Sequence, residues 1–395
     1  MRNIFLFWKW VFLIVGSVPL LANAKKSTKL VNYTTPTVLL AESEYPDFVD
    51  DLDFLEMKIA LNRQLKRFQR KNLNGTIILG GQSYPLAKIK DTLVEFGLLV
   101  DQFLQCKDKI ENLDCVDKFN QQIRQNFYLF APDLRTQNSF DYARFTAYYT
   151  PLIEAGREKS EQTPYAIYKK PVNNSLLRST RNEIDFQGKL EGRGLELFFA
   201  PDLFELYILH VEGGGKILVG RNGTTQTHYL SFSGTNRQRW DFISKYMINK
   251  GMIDSHSIEE QRNFLKAHPE VQEEVFSSCP SYVYFKLTDT PPEGSDLVPL
   301  TDNRSIATDS NYYRFKGMLS FVRSKRLKEE DVNTPTNQID ESSFKSFSRF
   351  MLDQDTGGAI RGKARVDLYF GEGKYAGRAS ENQNHTGELY FLLVK

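Results

Sequence analysis

Apolar residues recur every three or four positions in the first third of the chain, and this spacing predicts helices. One predicted helix covers residues 53 to 71, with apolar positions at Phe54, Met57, Ile59, Leu61, Leu65 and Phe68. A second helical stretch runs from residue 85 to residue 127, and Pro132 ends it. Residues 25 to 50 are polar and irregular, which predicts an extended segment. We assign these parts a packing role and no chemistry.

From Phe145 onward apolar and polar residues alternate between short clusters of glycine and asparagine, which is typical of many short strands. The clearest predicted hairpin has one strand over residues 203 to 212, a turn at residues 213 to 215 and a second strand from Lys216. A helical stretch over residues 238 to 273 interrupts the strands, and its Ser257 and Glu260 fit a capping box. Strands resume at Tyr282. The charged residues 325 to 343 predict a surface loop, and the fold class is mainly β with N-terminal helices.

The N-terminus has the pattern of an export signal. Arg2 is followed by an apolar run from Trp10 to Leu21 and by the small residues Ala22-Asn23-Ala24. The run is too short to span a bilayer, which requires roughly 20 apolar residues. We therefore predict a cleaved signal peptide over residues 1 to 24 and an exported protein, with an uncleaved anchor as the alternative. No cysteine lies near residue 24, so the lipid-attachment site of a lipoprotein is not expected.

The composition excludes several classes of function. The net charge of the 395 residues is only +2, whereas nucleic-acid binding needs a concentrated basic face. The five histidines show no metal-binding spacing, no phosphate loop or serine-hydrolase elbow is present, and no cofactor or metal is predicted. The three cysteines are too few for a disulfide scaffold. Cys106 and Cys115 fit a local disulfide as well as two buried thiols, and Cys279 is expected to be buried and free.

The candidate chemistry lies in two aspartates near the C-terminus. Asp367 alternates with Val366, Leu368 and Phe370, so that Asp367 and Tyr369 share the other face of a predicted strand. Asp355 ends the preceding strand. A carboxyl group beside apolar and aromatic neighbours has a raised pKa and can stay protonated, which suits the protonation of a glycosidic oxygen. Two alternatives remain open from these residues: both aspartates cap turns, or Asp355-Thr-Gly belongs to a dimeric aspartic protease.

Three ordered segments resemble the membrane-bound lytic murein transglycosylase A family. The first is Phe145-Thr-Ala-Tyr-Tyr-Thr-Pro, and the second is Leu209-His-Val-Glu-Gly-Gly-Gly with Phe232-Ser-Gly-Thr-Asn. The third is a C-terminal module that contains three aspartates, Asp309, Asp355 and Asp367. The resemblance covers residues 140 to 395. It implies a double-psi β-barrel domain, an inserted second β-domain and a glycan groove between them. The implied division is residues 1–24 for the signal, 25–151 for the N-terminal helices and the first part of the barrel, 152–281 for the insertion and 282–395 for the rest of the barrel.

The resemblance also implies an activity: cleavage of the β-1,4 bond between N-acetylmuramic acid and N-acetylglucosamine, leaving 1,6-anhydro ends. Asp367 matches the family's general acid and base, supported by Asp355, Asp309 and Thr146. The residues expected to bind the sugar are Tyr148, Tyr149, Glu212, Gly214, Ser233 and Tyr369. Glu212 departs from the family's glutamine, Gly214 from its serine and Ala147 from its glycine.

The expected partner is the peptidoglycan glycan strand, met by a monomer in the periplasm of a Gram-negative bacterium. Association with the outer membrane and a place in a cell-wall remodelling complex are compatible with this reading. The alternatives are a peptidoglycan-binding protein without activity and a hydrolytic glycosidase on the same fold. A third alternative is an aspartic protease.

Overall fold

The computed structural model of the protein describes residues 30–108, 113–134, 142–221 and 224–395. The signal peptide predicted over residues 1 to 24 lies outside these ranges. In the parts of the chain that the structure describes, every helix is too short or too polar to cross a bilayer.

The N-terminal third contains the predicted helices and, in addition, short strands. Its elements are β1 (Val31–Thr34), β2 (Thr37–Leu39), α1 (Met57–Phe68), β3 (Gly75–Leu79), β4 (Gln82–Pro85), α2 (Ala87–Lys107), α3 (Leu113–Asn126) and β5 (Phe127–Pro132). Strands β1, β3 and β4 form a small sheet, and β2 pairs with β5. Cys106 and Cys115 form a disulfide between α2 and α3, which decides between the two alternatives that their spacing left open. Cys279 is buried and free, as expected.

The middle of the chain is a mixture of strands and short helices. Its elements are β6 (Ala143–Thr150), β7 (Leu152–Glu154), β8 (Tyr165–Tyr168), α4 (Asn174–Leu177), α5 (Arg181–Asp185), β9 (Glu196–Ala200), α6 (Leu203–Glu212), β10 (Gly214–Arg221), β11 (Thr224–Thr235), α7 (Ile243–Asn249), α8 (Ile258–Ala267), α9 (Gln272–Ser277) and β12 (Val283–Thr288). Strands β12, β11, β10 and β7 form one sheet in that order. The predicted helical stretch is confirmed, and the Ser257 hydroxyl oxygen accepts the N–H of Glu260 at the start of α8.

The hairpin predicted from residue 203 is wrong, because residues 203 to 212 form helix α6. Asp202 caps the helix by accepting the N–H of Glu205 at 2.8 Å, and Gly213 ends it with φ +74°. Almost every side chain of α6 is buried, so the run is apolar on all sides and shows no helical period. Strand β10 pairs instead with β11, in antiparallel register.

The C-terminal third closes a barrel. Its elements are β13 (Ser305–Thr308), β14 (Met318–Leu327), β15 (Phe344–Asp355), β16 (Arg365–Glu372), α10 (Gly373–Glu381) and β17 (His385–Val394). Six strands follow one another in the order β14, β15, β13, β16, β6 and β17, and β17 pairs back onto β14. One barrel strand, β6, therefore comes from the middle of the chain. Short 3₁₀ turns follow β14, where a surface loop was predicted.

Among the described residues, the buried apolar side chains form two large cores and a smaller third cluster around Tyr282 and Tyr284. The larger core joins the barrel interior to the N-terminal helices and includes Phe96, Phe350 and Leu368. The second core is formed by residues that follow β6 and precede β13 in the chain, including Leu209, Ile217 and Phe285. Helix α1 packs against β15 of the barrel. The N-terminal helices thus support the strand that ends at Asp355.

Candidate active site

Asp367 and Thr146 lie opposite each other on neighbouring barrel strands. Strands β16 and β6 run parallel, and their register pairs Asp367 with Thr146 and Tyr369 with Tyr148. The apolar neighbours Val366 and Leu368 are fully buried on the other face, as the alternation predicted. The hydroxyl of Thr146 donates a hydrogen bond to the Asp367 carboxyl group, which is only partly exposed.

The surroundings of Asp367 favour its protonated form. Burial raises the pKa of Asp367, while the Thr146 hydrogen bond and the charge of Arg365 lower it in part. Among the described residues, no cation forms an ion pair with this carboxyl group. A carboxylic acid that is desolvated and not neutralised by a cation is suited to donate a proton at neutral pH.

Asp355 is the second acid of the site, and it lies on the other side of Tyr148. The Tyr148 hydroxyl donates to Asp355 Oδ2 at 3.0 Å, while Asp355 Oδ1 accepts the backbone N–H groups of Ser295 and Thr356, both at 2.8 Å. Burial raises the pKa of the Tyr148 hydroxyl well above its ordinary value, and the nearby charges of Asp355 and Asp367 add to the effect. Tyr148 therefore lies next to Asp355 and close enough to Asp367 to be affected by its charge.

Tyr369 supports this cluster from beneath. Its side chain is only 1% exposed, and its hydroxyl shares a hydrogen bond of 2.6 Å with the Thr150 hydroxyl. Its ring lies 5.2 Å from the ring of Tyr148, measured between centroids. The Tyr369 ring therefore packs against Tyr148, and its hydroxyl is already hydrogen-bonded. Because the side chain is buried, it is not accessible to a sugar, contrary to the expected sugar contact.

Glu212 reaches the site from the C-terminal end of helix α6. Its Oε2 accepts the backbone N–H of Tyr149 at 3.2 Å. Burial, aided by the charges of Asp367 and Glu381, raises the pKa of Glu212 to about 8, although the hydrogen bond from the Tyr149 N–H lowers it in part. The Tyr149 ring packs against Gly377, where an added Cβ would lie 3.0 Å from it. Tyr149 and Glu212, both expected to bind the sugar, are thus brought together, with Glu212 close enough to Asp367 for their charges to interact.

Three expected site residues have other surroundings. Asp309 is buried and ties two turns together, because its side chain accepts the N–H groups of Asn311 and Gly362. Gly214 allows a close approach of β10, since an added Cβ would lie 2.8 Å from Pro292. Ser233 lies where the register between β11 and β12 shifts. In the described part of the chain it forms no hydrogen bond with Asp367 or Asp355.

Some residues of the site carried no recognisable signal in the sequence. Ser295 acts through its backbone N–H, which any residue except proline supplies. Lys216 of β10 forms an ion pair of 2.7 Å with Glu372 at the end of β16, and so joins the middle sheet to the barrel. Both depend on contacts between residues far apart in the chain, so local spacing does not reveal them.

Two family models match the chain: the MltA specific insert domain over residues 144–286 and the 3D domain over residues 304–393. The chain is 29% identical to the membrane-bound lytic murein transglycosylase A of Vibrio cholerae over 252 residues, which are 63% of this chain and 64% of that protein. The match thus spans slightly less than two thirds of that relative.

Solved structures share the fold. The membrane-bound lytic murein transglycosylase from Agrobacterium tumefaciens superposes with a TM-score of 0.67 at 21% identity, covering 91% of this chain and 97% of that one. E. coli MltA with bound chitohexaose gives 0.66 at 22% identity, covering 91% and 94%. The six-stranded closed barrel with its associated helices and sheets is therefore an MltA-like fold. The chain belongs to the membrane-bound lytic murein transglycosylase A family.

Proposed function

We propose that the protein is a lytic transglycosylase that cleaves the β-1,4 bond between N-acetylmuramic acid and N-acetylglucosamine in peptidoglycan. The observation that carries the proposal is the carboxyl group of Asp367. It is partly buried, hydrogen-bonded to the Thr146 hydroxyl and without an ion-pair partner among the described residues. The names of the relatives support the same activity.

The proposed reaction uses one acid twice. Protonated Asp367 donates its proton to the glycosidic oxygen while the bond to C1 of the muramic residue breaks through an oxocarbenium-like state. The Asp367 carboxylate then removes the proton of the C6 hydroxyl of the same sugar, and the C6 oxygen bonds to C1. The products are a 1,6-anhydro end and a free hydroxyl on the leaving sugar. Because the nucleophile belongs to the substrate, no second carboxylate has to activate water.

Asp355 has a different role in this proposal. Burial raises the pKa of Asp355, whereas its three hydrogen-bond donors favour the carboxylate form, and its Oδ2 holds the hydroxyl of Tyr148 beside Asp367. In the proposed complex, the Asp355 carboxylate near the sugar also stabilises the positive charge that develops on the sugar ring. Asp309 acts indirectly, by holding the turns around the barrel end.

We propose further that the barrel is of the double-psi type, that residues 152–281 form an inserted domain, and that glycan strands lie in a groove between the two. E. coli MltA was solved with bound chitohexaose, an oligosaccharide, which supports a groove for sugars here. Its lining would include Thr146, Tyr148, Tyr149, Glu212, Gly214 and Ser233.

The relatives' description as membrane-bound supports export to the periplasm and association with the outer membrane. The proposed site is built within one chain, so a monomer suffices.

The decisive experiment is incubation of the purified protein with murein sacculi, followed by mass spectrometry of the released muropeptides. Muropeptides with 1,6-anhydro ends are expected. Ends that carry an added water would identify a hydrolase, and bound but uncleaved sacculi would identify a binding protein. Either result would overturn the proposed function.

A further inference from the structure

A row of polar side chains on helix α1 faces the barrel and not the solvent. Gln64 and Arg67 lie three positions apart on one side of the helix, and Lys71 continues that side beyond the helix end. Gln64 is fully buried. Burying such groups is unfavourable unless each finds a partner, so their partners indicate what the helix holds.

The shared partner of these three residues is Asp296, in the segment between β12 and β13. Gln64 Nε2 donates to Asp296 Oδ2 at 2.8 Å, and Lys71 Nζ donates to Oδ1 at 2.6 Å. Arg67 Nε donates to the backbone oxygen of Asp296 at 2.6 Å. The Asp296 residue is only 5% exposed. A buried carboxylate with a partner on each oxygen is held in one position.

From Asp296 the connection continues to Asp355. The backbone N–H of Asp296 donates to the backbone oxygen of Gln354 at 3.1 Å. The backbone N–H of the preceding residue, Ser295, donates to Asp355 Oδ1 at 2.8 Å. Gln354 Nε2 donates to Gln64 Oε1 at 2.8 Å, which closes a ring of contacts. An added Cβ at Gly294 would lie 2.6 Å from the Gln354 oxygen, so the two backbones approach closely here.

We propose that Asp296 is a positioning residue for the site: held by Gln64 and Lys71, it keeps the Ser295 N–H on the Asp355 carboxylate and thereby fixes Tyr148 beside Asp367. This assignment rests on the proposed function and gives helix α1 a part in it. The groups that face Asp355 are Tyr148 from β6, Lys316 from the segment before β14, and the N–H groups of Ser295 and Thr356. If the Ser295 N–H is lost, one donor that favours the carboxylate form disappears.

The test compares Asp296→Ala, Asp296→Asn and Lys71→Met with a matched control, Arg63→Met. Arg63 lies on the same helix and holds the same segment, donating to the Leu300 backbone oxygen at 2.7 Å and to the Thr301 hydroxyl at 2.8 Å. Unlike Arg67 and Lys71, it forms no hydrogen bond or ion pair with Asp296. For Asp296→Ala we expect kcat on soluble glycan strands to fall about tenfold with KM nearly unchanged. The acid limb of the kcat–pH profile should move to higher pH, because Asp355 then binds its proton more tightly.

The conservative variant and the control separate positioning from general stabilisation. Asp296→Asn keeps an acceptor oxygen and should recover most of kcat, while Arg63→Met should keep both kcat and the acid limb. If Asp296→Ala does not fold, the same measurements on Lys71→Met decide. Unchanged kcat and pH profile in the folded variants, or an equal loss in Arg63→Met, would overturn the assignment. A wild-type protein that releases no anhydro ends would instead refute the proposed function.

Discussion

The two aspartates beside Tyr148 differ in the number of donors that reach their oxygens. Within the described parts of the chain, Asp355 accepts hydrogen bonds from one hydroxyl and two backbone N–H groups, whereas Asp367 accepts one, from Thr146. Burial raises the pKa of both acids, and because donors stabilise the carboxylate form, the three donors at Asp355 oppose this rise at more points than the single donor at Asp367. Two acids with different proton affinities can divide the work between a charged stabiliser and a proton donor.

Asp367→Asn tests the proton donor directly. Asparagine has nearly the same shape but no proton to donate, so release of anhydro muropeptides should fall at least about 10²-fold, with binding to glycan strands retained. Asp340→Asn makes the same substitution at an exposed 3₁₀-helix cap on the protein surface and should leave the rate unchanged. Product release is measured by mass spectrometry and binding by cosedimentation with sacculi. An Asp367→Asn variant with full activity would remove Asp367 from the mechanism.

Thr146→Val tests the tuning of that acid. The hydroxyl of Thr146 lowers the pKa of Asp367, so its removal raises that pKa further. Because a general acid loses activity when pH rises through its pKa, the alkaline limb of the kcat–pH profile should move to higher pH. The freed carboxyl group is also less well oriented, and kcat at neutral pH should fall about tenfold. Thr146→Ser keeps the hydroxyl and should keep both properties; an alkaline limb that stays in place in Thr146→Val would contradict this tuning.

At the scale of elements, helix α6 brings an acid to the site at its unfavourable end. Glu212 lies at the C-terminus of α6, where the helix dipole disfavours a negative charge, and burial raises its pKa to about 8. The folded protein therefore binds a proton here that the unfolded chain releases near pH 4.5. The stability this proton contributes is fully present below the unfolded pKa and is lost as pH rises through the folded pKa.

Glu212→Gln should remove this pH dependence. Glutamine is neutral at every pH and keeps an oxygen that can accept the Tyr149 N–H. Relative to the wild type, the variant's free energy of unfolding should increase by about 1–3 kcal/mol between about pH 5 and pH 9. Urea unfolding at both pH values measures the difference. A difference between the two proteins that stays constant over this range would show that Glu212 is already ionised in the folded state.

How far the sequence predicted these elements depended on their periodicity. Helix α1 alternates buried and exposed sides, so its spacing was readable, and the alternation around Asp367 correctly assigned the faces of β16. Helix α6 is buried on nearly all sides, so its apolar run looked like a strand. The hydrogen bond between Thr146 and Asp367 joins residues 221 positions apart, and only the resemblance to a family pointed to it.

At the scale of the whole molecule, barrel closure is what assembles the site. Strand β6 carries Thr146 and Tyr148 and lies between β16, which carries Asp367, and β17. Strand β17 pairs in turn with β14, and this seam joins the last strand of the chain to the others. If the seam opened, β17 would no longer hold β6 from its far side. The geometry of the two aspartates therefore depends on a contact distant from both.

Gly387→Ala tests that dependence. Gly387 lies in β17 at the seam, and an added Cβ would lie 2.0 Å from the backbone oxygen of Arg323 in β14 and 3.0 Å from the Phe145 ring in β6. The strands must separate to admit it, which should lower the free energy of unfolding by about 2–3 kcal/mol. The value of kcat should fall as well, because displacement of β6 relative to β16 moves Thr146 away from Asp367.

Gly97→Ala provides a control of opposite sign. Gly97 lies inside helix α2, where an added Cβ would make an ordinary contact of 3.7 Å with Leu61. Alanine favours the helix over glycine by about 0.5–1 kcal/mol, so this variant should be slightly more stable than the wild type and equally active. Urea unfolding and murein digestion of both variants measure the two effects. A Gly387→Ala protein with wild-type stability and activity would mean that the seam tolerates separation and that β16 holds β6 without help from β17.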